Sequence, residues 1–402
     1  MLKCRSCESN DLNSIIPLGK IPLANALTES PEPNCKLYNL EVTLCNSCGL
    51  AQLKDTDDPK DLFSDYLYFS SNSITILNSA KELVQQTIRK LPEKSRIIEI
   101  ASNDGYLLKN YLGHDFEIIG IEPAKNIADV AQKNGIHTIC DFFDSKLTIS
   151  LKEKGKQADV INANNVMAHI PNINDFIEGL KIILKPRGKI IIEVPYFLDL
   201  VKQLEFDTIY HEHVYYFALK PLVEAFKRHS LHIYDLEKLS IHGGTLRLYI
   251  GHEGERTEES VIKNTLLLER EFSLFRLETY INFLKRLEQL KENLNKKLRE
   301  IKTSGKRIAG YGASAKGTTL LNYFNVGHYL DFIVDRSTSK QSKFTPGTGI
   351  KVSMPDVLLK ENVSYALLLA WNFQDEIVEQ QKEFLQNGGK FILPLPEVLE
   401  VS

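Results

Sequence analysis

The chain has 402 residues, 43% of them apolar and 25% charged, ordinary globular values that exclude intrinsic disorder and a fibrous architecture. Its formal net charge of −3 argues against a binder of nucleic-acid backbones, which needs a basic face. At this length one core divides into two or three domains, and no apolar run nears the roughly 18 residues of a membrane span.

No apolar stretch follows the opening MLKCRSCESN, so the sequence predicts no signal peptide and a cytoplasmic location. Four of the six cysteines form two C-x-x-C pairs, Cys4/Cys7 and Cys45/Cys48, while Cys35 and Cys140 stand alone. In a reducing compartment paired thiols hold metal more often than they form disulfides. Four thiolates suit a closed, tetrahedral, structural Zn2+ site, whereas a redox C-x-x-C does not need a second copy. The first 50 or so residues are too few to bury a sizeable core, and a metal staple would stabilise them. The polar run DTDDPK at 55–60 reads as a boundary, giving a zinc-binding module over 1–60.

A helix is expected in ITILNSAKELVQQTIRKL, where Ile76, Leu83, Ile88 and Leu91 are spaced near the helical period. Strands at 96–100, 117–122, 136–139, 158–163 and 188–194 alternate with helices at 124–134 and 173–184. That alternation predicts an α/β, Rossmann-like central domain over 61–255, its parallel sheet covered on both faces. From Arg256 to about Ile301 the positions Phe283, Leu287, Leu290, Leu294, Leu298 and Ile301 recur every three or four residues, with no Gly or Pro. One long amphipathic helix is expected over 256–300, either a connector packed on its neighbours or a coiled-coil seam. A second strand–turn–helix begins at RIAGYGASAKG, and strands near 330–334, 365–369 and 390–393 complete a second Rossmann-like α/β domain over 301–402.

The first strand ends in Glu99, and the turn Ala101-Ser102-Asn103-Asp104-Gly105 follows it. Glu122 closes the second strand, where an acid is placed to bind a ribose diol. Asp141 and Phe142 follow the third strand, Asn164 and Asn165 the fourth, so all converge beyond the carboxyl edge of the sheet. Acidic groups repel a pyrophosphate but suit a sulfonium cation and its amino group. The pattern resembles the motif series of S-adenosylmethionine (SAM) methyltransferases, with Glu99, Asn103, Gly105, Glu122, Asp141, Phe142 and Asn165 as cofactor contacts.

Past these strands comes Tyr210-His211-Glu212-His213, a density of acid–base side chains that suits catalysis. A His-x-His metal site completed by His242, or a packed polar core, are the competing readings. In the rear domain Gly310-Tyr311-Gly312-Ala-Ser-Ala315 fits G-x-G-x-x-[G/A], and Asp335 ends the next strand. Backbone N–H groups there suit a diphosphate, with Lys316 and Lys340 adding charge and Trp371 and Asn372 placed to take a base. Taken bare, this turn supports an NAD-dependent oxidoreductase with a zinc module; a zinc-ribbon adaptor is a third class.

Taken together the paired C-x-x-C, YLYFSS at 66–71, EIASNDG, NNVMAHI, FDTIYHEH, IHGGTLR, GYGASAKG, KQSKFTPGT and WNF resemble, in order and over nearly the whole chain, the sugar C-methyltransferase family. The resemblance implies a SAM- and zinc-dependent enzyme acting on a nucleotide-linked 4-keto-6-deoxyhexose in branched-chain deoxysugar synthesis. It implies His213 as base, assisted by Tyr210, Glu212 and Tyr68, with His169 and His242 near the sugar. The rear domain would then hold the nucleotide through Tyr311, Lys316, Lys340, Trp371 and Asn372. Methylation at C3 is the family's usual outcome, with C5 or oxygen as alternatives; neither the nucleotide nor the oligomeric state is specified. Ser342 departs from the family, which tends to have glycine there.

Overall fold

The computed structural model describes residues 2–31, 35–56 and 69–402. Tyr68 lies outside the described residues, as does the side chain of His242.

Strands β1 (Leu12–Ile21), β2 (Tyr38–Cys45) and β3 (Ala51–Leu53) form an antiparallel sheet in which Leu12 faces Cys45 and Val42 faces Leu53. That register folds the two C-x-x-C knuckles onto one another. Helix α1 (Ile74–Ile88) follows, capped by the Ser73 side chain, and buries Ile76, Ala80, Leu83, Val84 and Thr87.

The central sheet contains β4 (Arg96–Ile100), β5 (Glu117–Ile121), β6 (Thr138–Ile139), β7 (Ala158–Asn164), β8 (Leu184–Pro195), β10 (Leu231–Leu239) and β11 (Thr245–His252) in the order β6-β5-β4-β7-β8-β11-β10. Strands β4 to β8 are parallel, and β11 runs antiparallel to both β8 and β10. Ile190, Ile191 and Ile192 of β8 are wholly buried, the continuous apolar run of a strand covered on both faces. The strand order reverses between β5 and β7 around β4, which opens a crevice at their carboxyl ends. Helices α2 (Lys125–Lys133), α3 (Ser145–Glu153), α4 (Ile173–Ile183), α5 (Phe197–Gln203) and α6 (Leu219–Arg228) make the crossovers and flanks. Between β4 and β5 the chain makes a short 3-10 turn, Leu108–Tyr111. The two-residue strand β9 (Tyr215–Tyr216) leaves this domain and extends the N-terminal sheet, pairing Ala51 with Tyr216.

The expected single helix is two, α7 (Ser260–Glu271) and α8 (Leu277–Thr303). Ser273 turns at φ +60° and Leu274 is drawn fully into the core, while the Tyr280 hydroxyl donates to the Leu274 carbonyl. Burial of Leu274 breaks the helix without Gly or Pro. All six stripe positions, Phe283 to Ile301, are buried within the chain, so the stripe is spent on neighbouring domains rather than left as a seam.

The rear sheet runs β14 (Val352–Ser353), β13 (Phe332–Val334), β12 (Ile308–Tyr311), β15 (Tyr365–Leu368), β16 (Lys390–Leu393), β17 (Leu399–Val401), parallel except for β17. Helix α9 (Ala315–Phe324) follows β12, and α10 (Gln374–Gln380) follows the turn Trp371–Phe373 after β15. Among the described residues no helix is long and apolar enough to cross a membrane.

Candidate active site

The turn after β4 is tightly specified. Ala101, Asn103 and Gly105 take φ of +52°, +49° and +79°, conformations that cost side-chain-bearing residues energy and concentrate at ligand sites. Asn103 N–H donates to Glu122 Oε2 at 3.0 Å, and Ala124 N–H to Glu122 Oε1 at 2.9 Å, which fixes the acid at the end of β5. Glu99, Asp104 and Glu122 are all buried. Burial, with the Asp104 and Glu122 charges nearby, pushes Glu99 well above the usual carboxylate range. Burial raises Glu122 too, against the two N–H donors. Glu99 Oε2 and Asp104 Oδ1 have no hydrogen-bond partner among the described residues. Three buried acids with no cation paired to them among the described residues fit a ligand carrying a sulfonium and an ammonium. A cavity of about 440 Å³ lies against this turn, lined by Phe69, Ser71, Asn72, Asp104, Gly105, Tyr106, Lys109, Val130 and Asn134. Asp141 and Phe142 are exposed at the end of β6, and Asn165 sits at φ +54° after β7.

Gly105 is constrained twice over, because a Cβ there would stand 2.8 Å from Ile136 Cγ1 and its φ is positive. Gly105→Ala is expected to destabilise the protein by roughly 1–3 kcal/mol and to weaken donor binding, read by thermal melting and by titration with S-adenosylhomocysteine.

The histidines gather beside the same crevice. His213 Nδ1 lies 3.0 Å from the Thr208 carbonyl oxygen. A carbonyl only accepts, so Nδ1 carries the proton and Nε2 of the neutral ring holds the lone pair. Nε2 stands 2.7 Å from the Tyr210 hydroxyl, which donates to it. His169, on the turn after β7, lies edge-on to His213 at 4.8 Å between centroids, and its Nδ1–H donates to the Glu212 carbonyl at 2.9 Å. Glu212 is buried, and burial pushes its carboxyl up to about 7, against Asn25 and Lys340, which lower it. Asn25 Nδ2–H donates to Glu212 Oε1 at 2.6 Å, a contact from the N-terminal module that sequence reasoning missed. Burial also drives His169 down to about 4, although its bond to the Glu212 carbonyl favours the charged form.

The folded pKa of His169 is therefore below its unfolded value of about 6.5, so the stability involved is complete above pH 6.5 and lost as pH falls toward 4. A His169→Asn variant is expected to flatten the melting-temperature profile over that window by the equivalent of roughly 3 kcal/mol.

From the rear, Trp371 Nε1–H donates to Asp207 Oδ2 at 2.7 Å, and Lys316 Nζ lies 4.4 Å over the Trp371 ring. Burial raises Asp207 to about 6 and Glu205 to about 8, with Lys316 opposing both shifts. Glu205, Asp207 and Thr208 precede the histidines on one buried segment, and a sequence read for motifs had no reason to select them. The turn Ile241–Gly243, which carries His242, packs on the turn Trp371–Asn372–Phe373. The structure therefore brings Lys316 and Trp371 to the histidine segment. Lys340 Nζ–H donates to the Ala313 carbonyl at 2.8 Å, with its charge still felt by Glu212. Tyr311 packs edge-on against Phe391 in the rear core, its hydroxyl accepting from Gln381. The glycine turn closes on itself: Ala313 N–H donates to Asp335 Oδ2 at 2.8 Å, and the Ser314 side chain caps Gly317. A Cβ on Gly312 would meet Ala370 Cβ at 2.7 Å, so close packing already demands this glycine. Ser342 sits at φ +69°, the region that favours glycine, at a cost of about 1–2 kcal/mol.

The four thiols meet as expected. Cys4 Sγ and Cys48 Sγ are 3.6 Å apart, Cys7 Sγ and Cys45 Sγ likewise 3.6 Å, and all four lie within 4.8 Å of one another. A tetrahedron with bonds of about 2.3 Å has edges of about 3.8 Å, so the sulfurs are spaced for zinc. Among the described residues these thiols form the cluster of metal-ligating side chains, and the histidines do not join one.

The sheet order, the strained acidic turn and the acid–base cluster beside it define a SAM-dependent methyltransferase carrying a zinc module. Residues 4–63 match a zinc binding domain, residues 75–236 a methyltransferase domain, and residues 240–396 a C-methyltransferase C-terminal domain. The chain is 32% identical over 406 residues to C-methyltransferase NovU of Streptomyces niveus, covering 100% of this chain and 97% of that protein. The protein belongs to this C-methyltransferase family, and its cofactors are SAM and zinc. Solved structures with a similar portion include a SAM-dependent methyltransferase from Clostridium acetobutylicum (11% identity, TM-score 0.35, 44% of this chain and 91% of that one). Another is magnesium protoporphyrin IX methyltransferase from Synechocystis (11% identity, TM-score 0.35, 43% of this chain and 82% of that one).

Proposed function

We propose that the enzyme methylates C3 of a nucleotide-linked 4-keto-6-deoxyhexose through an enolate, in the cytoplasm, as a step in branched-chain deoxysugar synthesis. The observation that supports the reading is His213, its Nδ1–H held by the Thr208 carbonyl at 3.0 Å and its ring against His169 on the turn after β7. Bound SAM supplies a methyl group on a sulfonium, the electrophile of the reaction.

A carbon beside a ketone loses its proton only because the pair left behind delocalises onto oxygen. Nε2 of His213 takes the C3 proton, and the Thr208 carbonyl steadies the imidazolium through Nδ1–H. Tyr210, now bonded to Nε2, turns its hydroxyl to the C4 oxygen as charge develops there. Glu212, its carboxyl raised to about 7 by burial, assists by holding a proton for the same oxygen. One such donor is worth roughly 3–4 kcal/mol in an acyl-transfer oxyanion hole. Holding sugar and donor in line contributes roughly 7–11 kcal/mol, so the enzyme is chiefly a positioning device. The Lys316–Trp371 pair belongs to the nucleotide end of the substrate, the cation for phosphate and the indole for the base.

The test is incubation with SAM and a panel of nucleotide 4-keto-6-deoxyhexoses, products read by mass and NMR. A methyl bound to C3 is expected; a methyl on oxygen or C5 would overturn the assignment.

A further inference from the structure

Two contacts on one short rear-domain segment reach both halves of the chemistry. At its start, Trp371 Nε1–H donates to Asp207 Oδ2 at 2.7 Å, one residue before the carbonyl that holds the base. Five residues on, Glu376 Oε2 accepts from Ser73 Oγ at 3.1 Å and from Thr75 Oγ1 at 3.0 Å, at the N-terminus of α1. The chain just before that helix reaches the donor turn, because Ser70 N–H donates to Asn103 Oδ1 at 2.9 Å. Asn103 N–H in turn donates to Glu122. Burial pushes the Glu376 carboxyl up, but the Thr75 and Ser73 donors outweigh it and hold the group below its ordinary value, so it stays ionised. A charge-assisted cap of this kind orders the first turn of a helix and the residues leading into it.

We propose that segment 371–376 is a bridge by which the rear domain sets both sites: Glu376 is a positioning residue for the donor turn, acting through Ser73, Ser70 and Asn103, and Trp371 is one for the base, acting through Asp207 and Thr208. The inference rests on the donor lying at the turn after β4 and on His213 as base. It separates the two contacts, because no side chain is common to both routes. Glu376→Gln keeps the shape and removes the charge, so it loosens the donor turn and leaves the histidine segment alone. Trp371→Phe keeps a ring under Lys316 and removes only the N–H, so it loosens the histidine segment and leaves the donor turn alone.

Both effects are readable on the full-length protein without a sugar. S-adenosylhomocysteine is titrated against wild type, Glu376→Gln and Trp371→Phe, and the His213 ring is followed by ¹⁵N NMR for its tautomer. Glu376→Gln is expected to weaken the homocysteine ligand about fivefold or more while the Nδ1–H tautomer persists. Trp371→Phe is expected to leave that affinity within about twofold and to admit the Nε2–H tautomer. A Glu376→Gln protein that melts lower but binds the ligand as wild type does overturns the proposal, since the glutamate is then only a helix cap. A Trp371→Phe protein with an unaltered tautomer overturns its second half. A wild-type protein that binds no S-adenosylhomocysteine overturns the donor-site reading itself, and does so before any variant is made.

Discussion

His213→Ala is expected to abolish exchange of the sugar C3 proton in D2O in the absence of SAM, and to lower methyl transfer about 10²–10⁴-fold. Omitting the donor isolates the first half of the reaction. On the proposed mechanism wild type needs no donor for deprotonation: Nε2 takes the proton, the Thr208 carbonyl at 3.0 Å from Nδ1 steadies the resulting charge, and the Tyr210 hydroxyl, 2.7 Å from Nε2, turns to the oxygen. Tyr210→Phe retains the base and removes the oxygen's donor, so exchange should slow and not vanish. His169→Asn should slow it less, because His169 touches the Glu212 carbonyl and the edge of the His213 ring. The ranking His213, Tyr210, His169 is the signature of this arrangement, measured by NMR loss of the C3 proton. Unchanged exchange in His213→Ala would remove it as base, and exchange lost equally in all three would mean that the cluster acts only by holding the sugar.

Much of this site was legible along the chain because its parts are local. Glu99 and Asp104 flank one short turn after β4, Glu122 closes the next strand, and the parallel strand pattern alone places all three at the carboxyl edge. The two C-x-x-C pairs declare a tetrahedral site by spacing. What stayed hidden joins distant segments. Asn25 meets Glu212 across 187 residues, and Asp207 meets Trp371 across 164. Neither asparagine nor aspartate carries a pattern that distinguishes a partner from a surface residue. The glycine turn of the rear domain was legible as a shape, but what the shape is for was not: Asp335 and Ser314 accept from two of its N–H groups, those of Ala313 and Gly317, and Gly312 and Gly317 lie against Ala370 and Leu369. The break between α7 and α8 was also hidden, because burial of Leu274 decides it and helix propensity does not.

Removing zinc is expected to unfold the N-terminal sheet and, with it, to extinguish methyl transfer, although no thiol touches the reacting atoms. Structural zinc in small modules contributes about 10–16 kcal/mol of apparent folding free energy at neutral pH, more than a core of this size supplies. The sheet it staples packs on the histidine segment. Leu53 N–H donates to the Val214 carbonyl at 2.8 Å, one residue after His213, and β3 pairs with β9 at Tyr215 and Tyr216. Tyr38 of β2 stands edge-on to His211 at 5.7 Å, and Asn25 holds Glu212. Chelation, or Cys45→Ser, should therefore remove hydrogen-exchange protection from β1 to β3 and from β9 together. Parallel strands β4 to β8, sealed by their own isoleucines, should keep theirs. Activity should fall in proportion to metal content, and S-adenosylhomocysteine binding should fall less, since its turn lies on the retained sheet. A metal-free protein with full activity and protected β9 would show that the thiols stabilise nothing the reaction uses. Loss of β9 protection with the donor turn intact would instead identify the zinc module as the support on which the base is held.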